Sequence, residues 1–255
     1  MIRLSNVSFI REGRSILTDI SWQVEKGQHW ALLGRNGSGK TTLLEIISGY
    51  QFPSVGTVEV LGATYGRVDL REQRKRLGYI SQSLFEKLTP RDPLWEAVAT
   101  GAYAHLRFYE KIDPEVRDRA MARLQQFGLE SLADNPLGTL SQGERKKAML
   151  ARALMGEPEL IVLDEPCSGL DLYQRENYLE VVEQISKEAA LLYVTHHMEE
   201  IVPALTHVAL LREGKLTAAG PKRDVLTASL IEEAYDVQVA LDWEEERPWI
   251  RVKRT

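Results

Sequence analysis

Gly34-Arg35-Asn36-Gly37-Ser38-Gly39-Lys40-Thr41 is the stretch that decides how this chain folds. The octet fits the pattern G-x-x-x-x-G-K-[ST] at every fixed position. Before it runs Trp30-Ala31-Leu32-Leu33, a short apolar segment that suits a strand buried on both faces. After it come Leu43, Leu44, Ile46 and Ile47 at helical spacing, and Gly49 and Pro53 close that helix. Strand, glycine-rich loop and helix in this order make a phosphate cradle. The glycines let the backbone approach closely, and the N–H groups of the loop and of the helix N-terminus face the negative charge. Lys40 is placed to reach β- and γ-phosphates, and Thr41 to offer its hydroxyl to Mg²⁺.

Outward from the loop, the chain reads as strands and helices in alternation. Ile2 to Phe9 and Ile16 to Val24 alternate as half-buried strands, with a turn at Arg11 to Arg14. Strand-like pieces follow at Thr57 to Leu61 and Leu77 to Ser81. From about Ser83 to Met155 the spacing turns helical, through Trp95, Val98, Ala102, Val116, Ala120, Leu124 and Phe127. Strands resume at Leu160 to Leu163, Leu191 to Thr195 and Val208 to Leu211, with a helix over about Leu172 to Lys187. This pattern predicts an α/β fold with a parallel sheet and a helical lobe inserted at about 83–155.

Leu160-Ile161-Val162-Leu163-Asp164-Glu165-Pro166 is an apolar strand ending in two acids. A strand buried on both faces can carry carboxylates only at its exposed end, and in a parallel sheet ligands bind at that end. Asp164 can hold the hydration shell of Mg²⁺, and Glu165 can orient or deprotonate an attacking water.

Composition narrows the classes. The chain has 255 residues, 44% of them apolar, and a formal net charge of -5, so nothing electrostatic points to nucleic acid. One cysteine gives neither an intramolecular disulfide nor a metal cluster. Its usage suits a reducing compartment, hence the cytosol. No apolar h-region follows Met1-Ile2-Arg3-Leu4-Ser5, and no apolar run approaches the roughly 20 residues that span a bilayer. Attachment to a membrane would need another chain.

Leu140-Ser141-Gln142-Gly143-Glu144 opens a helix at Arg145 to Leu154, and Ser141 with Glu144 forms a capping box. A capped helix N-terminus is also an anion site. The chain then carries, in order, the phosphate loop, Gln82 after a strand, Leu140 to Glu144, Leu160 to Pro166, Ser168-Gly169-Leu170-Asp171, and Thr195-His196. Over about Ile2 to Leu216 this order resembles the ATP-binding cassette (ABC) family. The resemblance implies a P-loop NTPase core with an N-terminal antiparallel β subdomain and the inserted helical subdomain. On this reading 1–219 is the ATPase domain and 220–255 a C-terminal extension. It further implies that ATP with Mg²⁺ is bound by Gly34, Arg35, Asn36, Gly37, Ser38, Gly39, Lys40, Thr41 and Thr42. Catalysis would fall to Glu165, His196, Lys40 and Gln82, and Mg²⁺ to Thr41, Gln82 and Asp164. In a head-to-tail homodimer, Ser141, Gln142, Gly143 and Asp171 would act in trans, on the nucleotide held by the other subunit.

Three positions depart from the commonest family pattern. Gln142 and Glu144 stand where Gly and Gln are usual, while the cap and Gly143 are kept. Arg11 stands where an aromatic residue usually stacks on adenine, and a planar guanidinium can stack there as well. Cys167 replaces a frequent Thr and reads as a small residue in a tight turn, with a redox-sensing thiol as the alternative. Arg145, Lys146 and Lys147 read as a solvated helix face. Leu84, Phe85, Leu94 and Trp95 either pack the helical lobe or line a groove for a helix of a membrane partner.

Two functions fit. One is the ATPase subunit of an importer, peripheral at the inner face of the cell membrane and driving a separate permease. The other is a soluble ABC ATPase that acts as an assembly or mechanical module. Gly220-Pro221 with Val225-Leu226-Thr227, followed by Ile231 to Val239 as a short acidic-aromatic helix, is similar to cassettes of iron-chelate, cobalamin and related metal importers. The end, Arg247 to Val252, reads as a short edge strand without assignable chemistry.

Overall fold

The computed structural model describes residues 1–108 and 112–253. In chain order the elements are β1 (Ile2–Arg11), β2 (Arg14–Val24), β3 (Trp30–Leu33), α1 (Lys40–Ile47), β4 (Val55–Val60), β5 (Ala63–Thr64) and α2 (Leu70–Lys75). Then come β6 (Leu77–Ile80), α3 (Gln82–Phe85), α4 (Leu94–Ala99), α5 (Pro114–Gln126), α6 (Gln142–Leu154), β7 (Leu160–Asp164) and α7 (Leu172–Ile185). The chain closes with β8 (Ala190–Thr195), β9 (His207–Arg212), β10 (Lys215–Pro221), α8 (Lys222–Val225), α9 (Ala228–Tyr235), β11 (Val239–Glu244) and β12 (Arg247–Val252). Arg254 and Thr255, the last of the charged terminal segment, lie outside the described residues.

Two compact units divide the chain. One comprises Met1–Gln73 and the chain from Ala190 onward; the other is Arg74–Ala189. In the first unit, β2, β1, β4 and β5 make an antiparallel sheet. The β1–β2 turn is as tight as the sequence suggests, because Glu12 and Gly13 both take positive φ (52° and 76°), as a two-residue hairpin requires. In the same unit β3 pairs in parallel with both β8 and β9, and β10 lies antiparallel on β9. Trp30 to Leu33 are all buried, as are Leu43, Leu44, Ile46 and Ile47 of α1, so the phosphate loop is held between two core elements.

The second unit pairs β6 with β7 in parallel, and α6 packs on β6. Helix α5 buries Val116, Ala120 and Leu124, the stripe expected from their spacing. Its start is fixed by Asp113, whose carboxylate accepts from the Glu115 amide at 3.0 Å, with Pro114 in the first turn. The helical spacing through Trp95, Val98 and Ala102 belongs to α4 followed by a 3₁₀ turn at Thr100–Tyr103. Leu94 is fully buried, so it belongs to the core and not to a groove. The Arg117 guanidinium covers the Trp95 ring at 4.8 Å, leaving Leu84 and Phe85 as the partly exposed apolar pair near Gln82.

Candidate functional site

Register explains how each unit gathers its chemistry. In the first, Leu33 is opposite Thr195 across two parallel strands. The residues that follow them, Gly34 and His196, therefore leave from neighbouring strand ends. In the second, Ile80 is opposite Leu163. The carboxyl ends of β6 and β7 thereby bring the segment of Ser81 and Gln82 beside Asp164 and Glu165.

The phosphate loop is shaped by close approach. A Cβ on Gly34 would lie 2.3 Å from the Leu211 carbonyl oxygen, and one on Gly39, which has φ 104°, would lie 2.8 Å from the Leu17 side chain. Only glycine fits either place. The Lys40 side chain is buried, and its ammonium donates to the carbonyls of Gly34 (2.8 Å) and Arg35 (3.1 Å). The Ser38 hydroxyl is buried with no hydrogen-bond partner. A buried ammonium held against the loop backbone and an orphaned hydroxyl, at a helix N-terminus with no acidic side chain in its first turn, fit an anionic ligand. Arg35, Asn36, Gly37 and Thr41 are exposed, and Thr42 is half-buried. Arg11 is exposed at the end of β1, its guanidinium 5.9 Å from the Phe9 ring centroid.

His196 is half-buried, its ring 4.1 Å from that of His197. The next peptide is fixed by Thr195, whose hydroxyl accepts from the His197 amide at 3.0 Å. Further on, the Tyr193 hydroxyl donates to the buried carboxylate of Glu200 at 2.9 Å.

In the second unit Ser81 caps α3, its hydroxyl accepting from the Leu84 amide at 3.2 Å. Gln82 is exposed, and its amide donates to Glu86 at 3.3 Å. Asp164 and Glu165 are half-buried, and Glu165 has φ 47°. A non-glycine residue in the left-handed region at a strand end is strained backbone of the kind that marks functional positions. A cavity of about 200 Å³ opens here, lined by Gln82, Phe85, Gln142, Arg145 and Asp164 among others.

The expected capping box at Ser141 is formed. The Ser141 hydroxyl and amide both donate to Glu144, at 2.6 and 2.7 Å, and these bonds hold the Glu144 carboxyl below its ordinary range. The Gln142 amide donates to the Ser168 carbonyl of its own chain at 3.3 Å and packs against Gly169, where a Cβ would meet it at 2.3 Å. Gly143 has only ordinary contacts. Asp171 N-caps α7, accepting from the Gln174 amide at 2.8 Å, a local role that its place in the motif order did not disclose. Cys167 is buried in the turn after β7. Arg145 is more than a solvated basic residue: its guanidinium lies 5.5 Å from the Phe85 ring and donates to Gly138 at 2.6 Å.

The sequence model of the ABC transporter family matches residues 17–168, more than half of the chain. The chain belongs to the ABC transporter family. It is 41% identical over 254 residues to the ABC transporter ATP-binding protein YlmA of Bacillus subtilis (strain 168), covering 98% of this chain and 96% of that one. It is 30% identical over 227 residues to the ferric enterobactin transport ATP-binding protein FepC of Escherichia coli (strain K12), covering 88% and 83%. The dimeric structure of MJ0796, a bacterial ABC transporter cassette, superposes with a TM-score of 0.75 at 24% identity over 87% of this chain and 98% of that one, a likeness of fold. This cassette is thus an ATP-binding and ATP-hydrolysing subunit of an ABC transporter with a P-loop NTPase fold.

Three residues near these strand ends escaped the motifs. Tyr235, Arg247 and Lys222 all lie in the C-terminal extension; Arg247 donates to the Glu199 carbonyl and Lys222 to the Pro203 carbonyl, both in the segment that follows His196.

Proposed function

We propose that this cassette powers import through a separate integral membrane permease, working as a homodimer with MgATP between two copies. The observation that carries the ATPase part is the buried Lys40 ammonium in its glycine loop beside an orphaned Ser38 hydroxyl. The phosphates would be held by Gly34 to Thr42, and the metal by Thr41, Asp164 and Gln82. The metal would neutralise charge on the phosphates. Among the described residues no group of three or more His, Cys, Asp or Glu could hold a metal alone, so a metal carried in by the phosphates suits these sparse ligands. Glu165 would take the proton of the attacking water, and His196 would hold the γ-phosphate.

Ser141, Gln142, Gly143 and Asp171 would serve the partner copy's nucleotide. Support for a second copy comes from Leu172 and Tyr173, which directly follow Asp171 and are 68% and 77% exposed. The ATPase domain would span 1–219, with the helical part at about 83–155 and an extension over 220–255. Import is supported by the tail motifs, by the single cassette, and by the resemblance to a cassette named for ferric enterobactin transport. No described helix is long and apolar enough to cross a membrane, so a permease would hold the cassette at the inner face of the cell membrane. The relatives named above are transporter ATP-binding proteins, which favours this reading over the assembly module.

A permease helix seated beside Gln82 would bury Leu84 and Phe85, at about 25 cal/mol per Å² before association costs. The Phe85→Asp variant should lose membrane recruitment by at least about tenfold, since a carboxylate would have to be desolvated where the permease helix needs apolar surface. ATPase of the isolated subunit should change less than about twofold. Cosedimentation with permease-containing membranes, beside ATPase in detergent-free buffer, checks this. Undiminished recruitment would place the dock elsewhere.

Base selection should be weak, because the Arg11 guanidinium offers a face to any purine and reads no base edge. Arg11→Ala should raise the KM for nucleotide with little change in kcat, as stacking is similar in ground and transition states. Steady-state kinetics with ATP and GTP measure both; an unchanged KM would assign the base to another residue.

A further inference from the structure

The segment that follows His196 has little structure of its own: one 3₁₀ turn at Met198–Glu200 and then irregular chain to Thr206. A turn of three residues cannot hold itself. The segment is anchored by the Tyr193–Glu200 bond and by buried Met198, Ile201 and Leu205, and the C-terminal extension adds further support. Strand β12 packs on that 3₁₀ turn, and the Arg247 guanidinium donates to the Glu199 carbonyl, three residues after His196. The ammonium of Lys222, 7% exposed, donates to the Pro203 carbonyl at 3.3 Å and to the Glu246 carbonyl at 3.0 Å, joining the loop to the tip of the hairpin. The hairpin is itself braced: Arg223 pairs with Glu246 at 2.5 Å and lies 3.9 Å over the Trp243 ring. From the same extension, the Tyr235 hydroxyl is buried with no hydrogen-bond partner, and burial pushes the phenol well above its ordinary range.

We infer that the β11–β12 hairpin, through Arg247, is a positioning element for His196. Arg247 acts on the main chain from which the histidine is presented, through the Glu199 carbonyl. The extension lies outside the residues 17–168 that the family model matches, as does His196 itself. The inference rests on the role proposed for His196. An error of about 1 Å in a group's placement can cost on the order of 10²-fold in rate, and an imposed tilt of one loop would cost less.

The experiment is a double-mutant cycle in the full-length protein, read as kcat and KM for ATP. Arg247→Ala should lower kcat about tenfold with KM within about twofold, and Arg247→Lys, which keeps one donor for the Glu199 carbonyl, should fall between it and wild type. If the alanine variant does not fold, the lysine variant carries the comparison. His196→Ala combined with Arg247→Ala should be no slower than His196→Ala alone, because the brace acts only through that side chain. Multiplying effects in the double variant would make Arg247 a general stability residue and overturn the inference. So would a normal kcat in Arg247→Ala where His196→Ala is slow. A normal kcat in His196→Ala would instead remove the role assigned to the histidine, and the inference with it.

Discussion

Glu165→Gln should bind MgATP like the wild type and hydrolyse it at least about 10²-fold more slowly, the range a positioned general base contributes. The amide keeps the shape of the carboxylate and cannot accept the proton of water. The phosphate cradle is untouched, since Lys40, Ser38 and the loop glycines lie on other elements. With the product-forming step removed, ATP-bound pairs of subunits should accumulate. Light scattering should find a dimer with MgATP and a monomer with MgADP. The strained left-handed backbone at Glu165 adds a control. Glu165→Gly would relieve the strain and should raise thermal stability by about 1 kcal/mol while leaving the enzyme inactive. Turnover near wild type in Glu165→Gln would remove the residue from the chemistry.

Much of this site can be read from sequence, because each phosphate or carboxylate position is tied to the end of a buried strand. Trp30 to Leu33, Leu160 to Leu163 and Leu191 to Thr195 are short continuous apolar runs, and such runs have few places to go except the middle of a parallel sheet. Their ends fix Gly34, Asp164 and His196. The serine cap at Ser141 is equally local, needing only Glu144 three residues on.

The extension is different. The β11–β12 hairpin is rich in charge, with Asp242, Glu244, Glu245, Glu246, Arg247 and Arg251, so alternation is faint. Its turn places Glu245 and Glu246 at φ 46° and 62°, where sequence rules look for Gly or Asn. Only its second strand, at Arg247 to Val252, is visible in the sequence. Helix α9 stops at Tyr235 and not at Val239, because Asp236 takes the left-handed conformation and ends it. Strand β10 is a half-exposed run containing Gly220 and Pro221, and it is held by pairing to β9 and not by its own pattern. The contact of Arg247 with Glu199 joins residues far apart in the chain, and no local signal marks it.

The central claim is that each nucleotide is worked on by two copies of this chain, with Lys40 from one and Ser141 from the other. Ser141 lies in a different unit from Lys40 and caps its own helix. Lys40→Ala removes the ammonium from the cradle, and Ser141→Arg puts a bulky cation at the N-terminus of α6, where the helix dipole is positive. Each variant alone should be almost inactive. Mixed in equal amounts, half of the randomly formed dimers pair one variant with the other, and each such dimer holds one composite site free of both substitutions. The measurement is ATPase of the mixture against the sum of its parts. The account predicts recovery toward about a quarter of wild-type activity per subunit, as random pairing in a two-fold dimer requires. A mixture no more active than the sum of the two variants would contradict it.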